Sequence, residues 1–136
     1  MKFIYKYRVK WSEVDPMYFV RTEIYLDYYR EASSELMRSV GYPYKRLEEE
    51  GLQFPIIEVN AKYLKPLRFD EEIIVEAVIS KLKNYQIVVE YKIFKETSVE
   101  CANAKIIYGV MSKGSEELSP MPESLKNKLE SFVLKK

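Results

Sequence analysis

Between Phe3 and Trp11 the chain alternates, with Phe3, Tyr5, Tyr7, Val9 and Trp11 on one side and Lys6, Arg8 and Lys10 on the other. A period of two predicts a half-buried strand. Residues 12–21 carry no period. From Thr22 the apolar spacing lengthens to three and four, through Tyr25, Tyr28 or Tyr29, Ala32, Leu36 and Val40, which is one face of a long helix. Thr22 suits its N-cap, Glu23 its first turn and Gly41 its stop. A short polar helix over Tyr44–Glu50, closed by Gly51, is expected next.

From there the period returns to two. Ile57, Val59, Ala61 and Tyr63 alternate with Glu58, Asn60 and Lys62 until Pro66 ends the run. Ile73, Val75, Ala77 and Ile79 predict another strand, and Lys81–Asn84 a turn. Tyr85, Ile87, Val89, Tyr91 and Ile93 continue the alternation, and a turn near Thr97–Ser98 leads to Ala102, Ala104, Ile106, Tyr108 and Val110. Ser119-Pro-Met-Pro-Glu reads as the start of a C-terminal helix carrying Leu125, Leu129 and Phe132. The fold class is therefore α+β: a five-stranded antiparallel sheet curved around one long helix, with a short second helix and a C-terminal helix. The outer strand edges of such a sheet need covering, and a second copy of the chain is the simplest cover.

Composition narrows the class further. The 136 residues suit one domain spanning 1–136, and 47% hydrophobic with 32% charged residues is a globular balance. A net charge of +1 gives no overall field for nucleic acid or an anionic membrane surface. The charged N-terminal stretch does not read as a signal peptide, and no apolar run reaches the length of a membrane span. The single Cys101 leaves no internal disulfide to form, so a cytoplasmic location is expected.

The chain has no histidine. A Ser-His-Asp or Cys-His nucleophile and a His-ligated zinc are excluded within one chain, and no metal site is expected. Acid–base chemistry near neutral pH then falls to a carboxylate, a tyrosine or a lysine. Asp15, held before Pro16 and just upstream of the long helix, is the carboxylate in the most constrained setting. Asp-Pro is also a common turn opener, so the same residue reads equally as a turn former.

The run V-K-W-S-E-V-D-P-M, followed ten residues after the Asp by Tyr25 in Y-L-D-Y-Y-R-E-A, resembles the hotdog-fold thioesterases. Within them it is most similar to the 4-hydroxybenzoyl-CoA thioesterase group and its YbgC-like acyl-CoA thioesterases. Y-L-K-P-L-R-F-D-E-E-I-I-V, residues 63–75, resembles the same family's third-strand entry, and the likeness runs over roughly residues 5–112. YbgC-like members carry a Tyr four residues before the Asp, a Gly three after it and a His seven after it. Here Trp11, Tyr18 and Thr22 stand in those places.

The resemblance implies hydrolysis of an acyl thioester on coenzyme A or acyl carrier protein. Coenzyme A enters as part of the substrate and no separate cofactor is implied. It implies Asp15 as base or nucleophile, with amides around Thr22–Ile24 polarising the carbonyl. Thr22 is an N-cap whose hydroxyl can also orient a water. Trp11 and Tyr18 beside Asp15 can line the acyl pocket, with Tyr25 a further substrate contact. Lys65 and Arg68, with Lys62, Lys81 and Lys83, are candidates for coenzyme A phosphates, although lysines at strand ends are common surface residues. Glu48–Glu50 and the Asp27, Arg30, Glu31 and Glu35 set read as solvated helix charge, with Glu31 also matching a family acidic position. A homodimer, possibly a tetramer, is expected. The alternative function is a non-catalytic hotdog module that binds acyl-CoA or acyl carrier protein.

Overall fold

The computed structural model describes residues 1–96 and 98–135. In chain order the elements are β1 (Phe3–Arg8), α1 (Ile24–Ser39), α2 (Tyr44–Glu49), β2 (Leu52–Gln53), β3 (Ile56–Tyr63), β4 (Glu72–Leu82), β5 (Gln86–Lys95), β6 (Val99–Gly109), β7 (Met111–Ser112) and α3 (Glu123–Leu129). Single 3₁₀ turns stand at Trp11–Glu13 and Glu130–Phe132. Five strands form one antiparallel sheet in the order β1-β4-β5-β6-β3. This is the expected α+β hotdog arrangement, a five-stranded sheet around a long helix.

The core lies between α1 and the concave face of the sheet. Tyr25, Tyr28, Tyr29, Ala32 and Leu36 of α1 meet Ile73, Val75, Ala77 and Ile79 of β4 and the inward residues of β5 and β6, all buried. Several polar atoms brought into this core are tied together, while the Tyr29 hydroxyl has no partner among the described residues. Ser33 Oγ bonds the Tyr91 hydroxyl, which in turn bonds Tyr108 at 2.7 Å. Such bonding removes most of the cost of burying them.

Several boundaries differ from the sequence reading. β1 stops at Arg8, three residues short of Trp11, because Val9 turns inward and pairs its backbone with Glu71 and Asp70. α1 begins at Ile24 with Glu23 at the cap position, and no side chain caps it. Thr22 is exposed and is not the N-cap; its carbonyl accepts from Tyr25 N–H at 3.4 Å, a turn that winds the chain into the helix. The strand pair β2–β7 had no signal, since two residues are too short for a period to be read. Gly41 does end α1, at φ +75°, where a side chain is strained. Of the turn expected at Thr97–Ser98, Thr97 lies outside the described residues.

β3 is the informative departure. Its alternation predicts one buried face, and its register aligns Val59, Ala61 and Tyr63 with the inward residues Ile106, Ala104 and Ala102 of β6. Yet Val59 is 42% exposed and the neighbouring Ile57 57%, because β3 is an edge strand that α1 meets at its Tyr63 end, through Tyr25. No helix among the described residues is long and apolar enough to cross a membrane.

Candidate functional site

Residues 11–22 form a knot of short-range bonds at the entrance to α1. Val14 bridges Val20 across the turn. Asp15 N–H donates to Phe19 O at 2.8 Å, and its carbonyl accepts from Tyr18 N–H at 2.9 Å. The Asp15 carboxylate closes the same turn, with Oδ1 accepting from Met17 N–H at 2.8 Å and Phe19 N–H at 3.1 Å. Proline at 16 removes a competing donor and holds Asp15 extended. Asp15 is thus a turn former in fact, and only half of its carboxylate is used. Oδ2 accepts nothing among the described residues and the side chain is partly exposed.

Tyr18 lies at φ +69°, in the left-handed region. That explains in physical terms why a glycine suits this place in the resembling family. A tyrosine there costs about 1–3 kcal/mol of backbone strain. The turn is fastened to the loop before β4 by Val20 N–H to Leu67 O at 2.8 Å and Phe69 N–H to Tyr18 O at 3.0 Å. Tyr25 secures the helix to the same loop, its hydroxyl accepting from Leu67 N–H at 3.3 Å and its ring packing edge-on against Tyr63 at 4.9 Å.

The candidate residues therefore separate. Trp11, Tyr18 and Arg68 come together with Asp15 on one turn-and-loop unit. Trp11 and Tyr18 do not line a pocket within the subunit: they are 62% and 53% exposed and pack against each other at 5.6 Å with their rings tilted. Arg68 places its guanidinium over the Phe19 ring at 4.8 Å, and Lys65 is exposed on the same loop. Tyr25 is buried and engaged in holding the fold. Of the amides at Thr22–Ile24, Ile24 N–H is committed to Arg21 O at 3.0 Å. The Glu23 carboxyl is held below its usual range by its own backbone amide first and by Arg21 second. The Thr22 amide is the one of the three with neither tie.

Glu13 is the residue that sequence reasoning missed. Its Oε2 accepts from the Tyr7 hydroxyl at 2.7 Å, and its Oε1 from the Tyr28 hydroxyl at 3.0 Å and Lys10 N–H at 2.8 Å. Burial pushes both phenols up, and the carboxylate beside them adds to the shift. Glu13 thus ties β1, α1 and the 3₁₀ turn together two residues before Asp15. It also lines a groove of about 1080 Å³ with Tyr5, Glu31, Tyr44 and Tyr108. Asp15 is not on the wall of that groove. Two acids framing a turn between aromatic segments were the available signal.

The model of the thioesterase-like superfamily matches residues 9–129. A relative from Aquifex aeolicus (strain VF5), named "Putative esterase", is 34% identical over 106 residues, covering 77% of this chain and 83% of that protein. The Bacillus subtilis (strain 168) protein named "Putative acyl-CoA thioesterase YneP" is 27% identical over 101 residues, covering 72% of this chain and 73% of its own. A crystal structure of a hypothetical protein from Aquifex aeolicus superimposes with a TM-score of 0.88 at 28% identity, over 93% of this chain and 98% of the other. With its sheet, its long helix and this match over nearly the whole chain, the protein belongs to the thioesterase-like superfamily and is a thioester hydrolase on a hotdog fold.

Proposed function

We propose that the protein is an acyl-CoA thioesterase in which Asp15 supplies the reacting carboxylate. The observation that carries this reading is the division of labour in that side chain, with Oδ1 held by two amides and Oδ2 open. A carboxylate fixed in this way meets a substrate without having to be ordered first. As general base, Oδ2 takes a proton from water while the water oxygen bonds to the thioester carbonyl carbon. The tetrahedral intermediate then expels the thiolate of coenzyme A, which takes the proton back. As nucleophile, Oδ2 itself bonds to the carbonyl carbon and expels the thiolate, and water opens the resulting anhydride. In this proposal the Thr22 amide, two residues before α1, stabilises charge on the carbonyl oxygen in either route.

The working unit in this proposal is a homodimer joined along β3. An exposed edge strand carrying Ile57, Val59 and Tyr63 matches a second copy of itself, and pairing extends the sheet across both subunits. A second reading, a module that binds acyl-CoA without hydrolysing it, is favoured by one observation. Neither the groove of about 1080 Å³ nor the second cavity of about 470 Å³ reaches Asp15 within one subunit. Incubation with a panel of aliphatic and aromatic acyl-CoAs and a thiol reagent separates the two. Release of free thiol above the rate without protein is expected for at least one acyl-CoA. Tight binding of acyl-CoA with no thiol released from any of them would establish the module instead.

A further inference from the structure

The Asp15 turn is the tip of a miniature hairpin. Asp15 N–H donates to Phe19 O at 2.8 Å, Val14 bridges Val20, and Arg21 N–H donates to Glu13 O at 3.0 Å. These successive rungs run from the tip at Asp15 to a base at Glu13 and Arg21. Glu13 stands two residues from Asp15 on one strand. On the other, Thr22 follows Arg21 directly, and α1 begins at Ile24.

Both halves of the base are anchored. The Arg21 guanidinium donates to Ser12 O at 2.9 Å and Val14 O at 3.4 Å, and its Nε pairs with Glu23 at 3.0 Å. Those ties stay within the hairpin and the cap position. The half-buried Glu13 side chain reaches further, to Tyr7 on β1 and Tyr28 on α1. Among the described residues, its bond from Tyr28 is the one side-chain hydrogen bond that joins residues 11–22 to α1. Tyr28 is itself immobilised, 2% exposed with its ring against Tyr7 at 5.2 Å and Tyr25 at 6.3 Å. A carboxylate gripped by a β1 hydroxyl, an α1 hydroxyl and the Lys10 amide has one direction to point.

We propose that Glu13 is a positioning residue for the hydrolysis, holding the hairpin on Tyr28 so that the Asp15 carboxylate is aimed at the carbonyl that the Thr22 amide polarises. The proposal rests on the Asp15 thioesterase reading above. A base or nucleophile works only in a near-attack geometry, and a displacement of about 1 Å costs on the order of 10²-fold. Loosening the base of a hairpin shifts its tip while the rest of the chain stays where it is. The turnover step therefore carries the effect, and substrate binding does not.

Glu13→Gln and Tyr28→Phe loosen the anchor from its two sides, the second keeping the ring contacts. In each, kcat is expected to fall roughly tenfold to a hundredfold with KM within about twofold, measured below the melting transition of the variant. Tyr42→Phe is the control for a merely structural loss. It removes a hydroxyl bond to Glu50 past the far end of α1, and is expected to lower the melting temperature without moving kcat. Glu13→Gln is also made in the Asp15→Asn protein. A residue that acts through Asp15 then has nothing to aim, so the double variant is expected to match Asp15→Asn alone. Additive losses, or an equal fall of kcat in Tyr42→Phe, overturn the positioning role and leave Asp15 in place. So does parental kcat in both Glu13→Gln and Tyr28→Phe. A raised KM at unchanged kcat overturns it too, by making Glu13 a binding group. Parental turnover by Asp15→Asn overturns the Asp15 reading, and the positioning role with it.

Discussion

Glu13 and Thr22 show how far single residues depart from their local signals. Glu13 accepts three hydrogen bonds from three different segments. Glu13→Gln keeps the shape but replaces the charged acceptor of one buried and one half-buried hydroxyl, and a loss of about 1–3 kcal/mol in urea unfolding is expected. Thr22 read as a cap predicts a loss of about 1 kcal/mol on removal of its hydroxyl. Exposed, with its side chain uninvolved in capping, Thr22→Val is instead expected to stay within about 0.5 kcal/mol of the parent in the same measurement. The reason neither was legible is the same. A cap and a buried acceptor are both decided by where the chain turns, and the aperiodic stretch 12–21 gave no period from which to place the turn.

At the scale of elements the alternation and the helical spacing were enough to place all five sheet strands, α1, α2 and α3. Their ends moved by a few residues where tertiary contacts intervened, as when Val9 left β1 to pair with the loop at Glu71. What period alone could not say was which strand ends at the sheet edge. β3 has the same alternation as β4, but β4 packs under α1 while β3 meets it at Tyr63. The exposed face of β3 is therefore the place to test the proposed assembly. Sedimentation at micromolar concentration is expected to show a dimer, and Val59→Lys, which sets like charges across a self-paired edge, a monomer. A parent protein that sediments as a monomer removes the β3 interface.

The whole molecule is held together by tyrosines more than is usual. Burial is the first cause that pushes up the hydroxyls of Tyr25, Tyr28, Tyr29, Tyr91 and Tyr108. These groups are neutral in the fold and ionise more easily once it opens. Because their folded values lie above the unfolded value of 10.0, their contribution to stability is complete below about pH 10 and declines as pH rises beyond it. Base-induced unfolding is thus expected to set in above about pH 10. The rise in phenolate absorbance of these side chains should coincide with loss of circular dichroism. Full phenolate formation with the native spectrum intact would contradict the buried tyrosine network.

At this scale the central claim concerns one carboxylate with two tasks, and a single comparison tests it most directly. Asp15→Asn retains an oxygen for the Met17 and Phe19 amides while removing the group that attacks or takes a proton. Hydrolysis rate and melting temperature are measured on the same preparations, with the best substrate of the acyl-CoA panel. A fall in kcat on the order of 10²–10⁴ with melting little changed is the predicted result. Hydrolysis at the parental rate by Asp15→Asn, with or without a lower melting temperature, would reduce Asp15 to a turn former and contradict the mechanism.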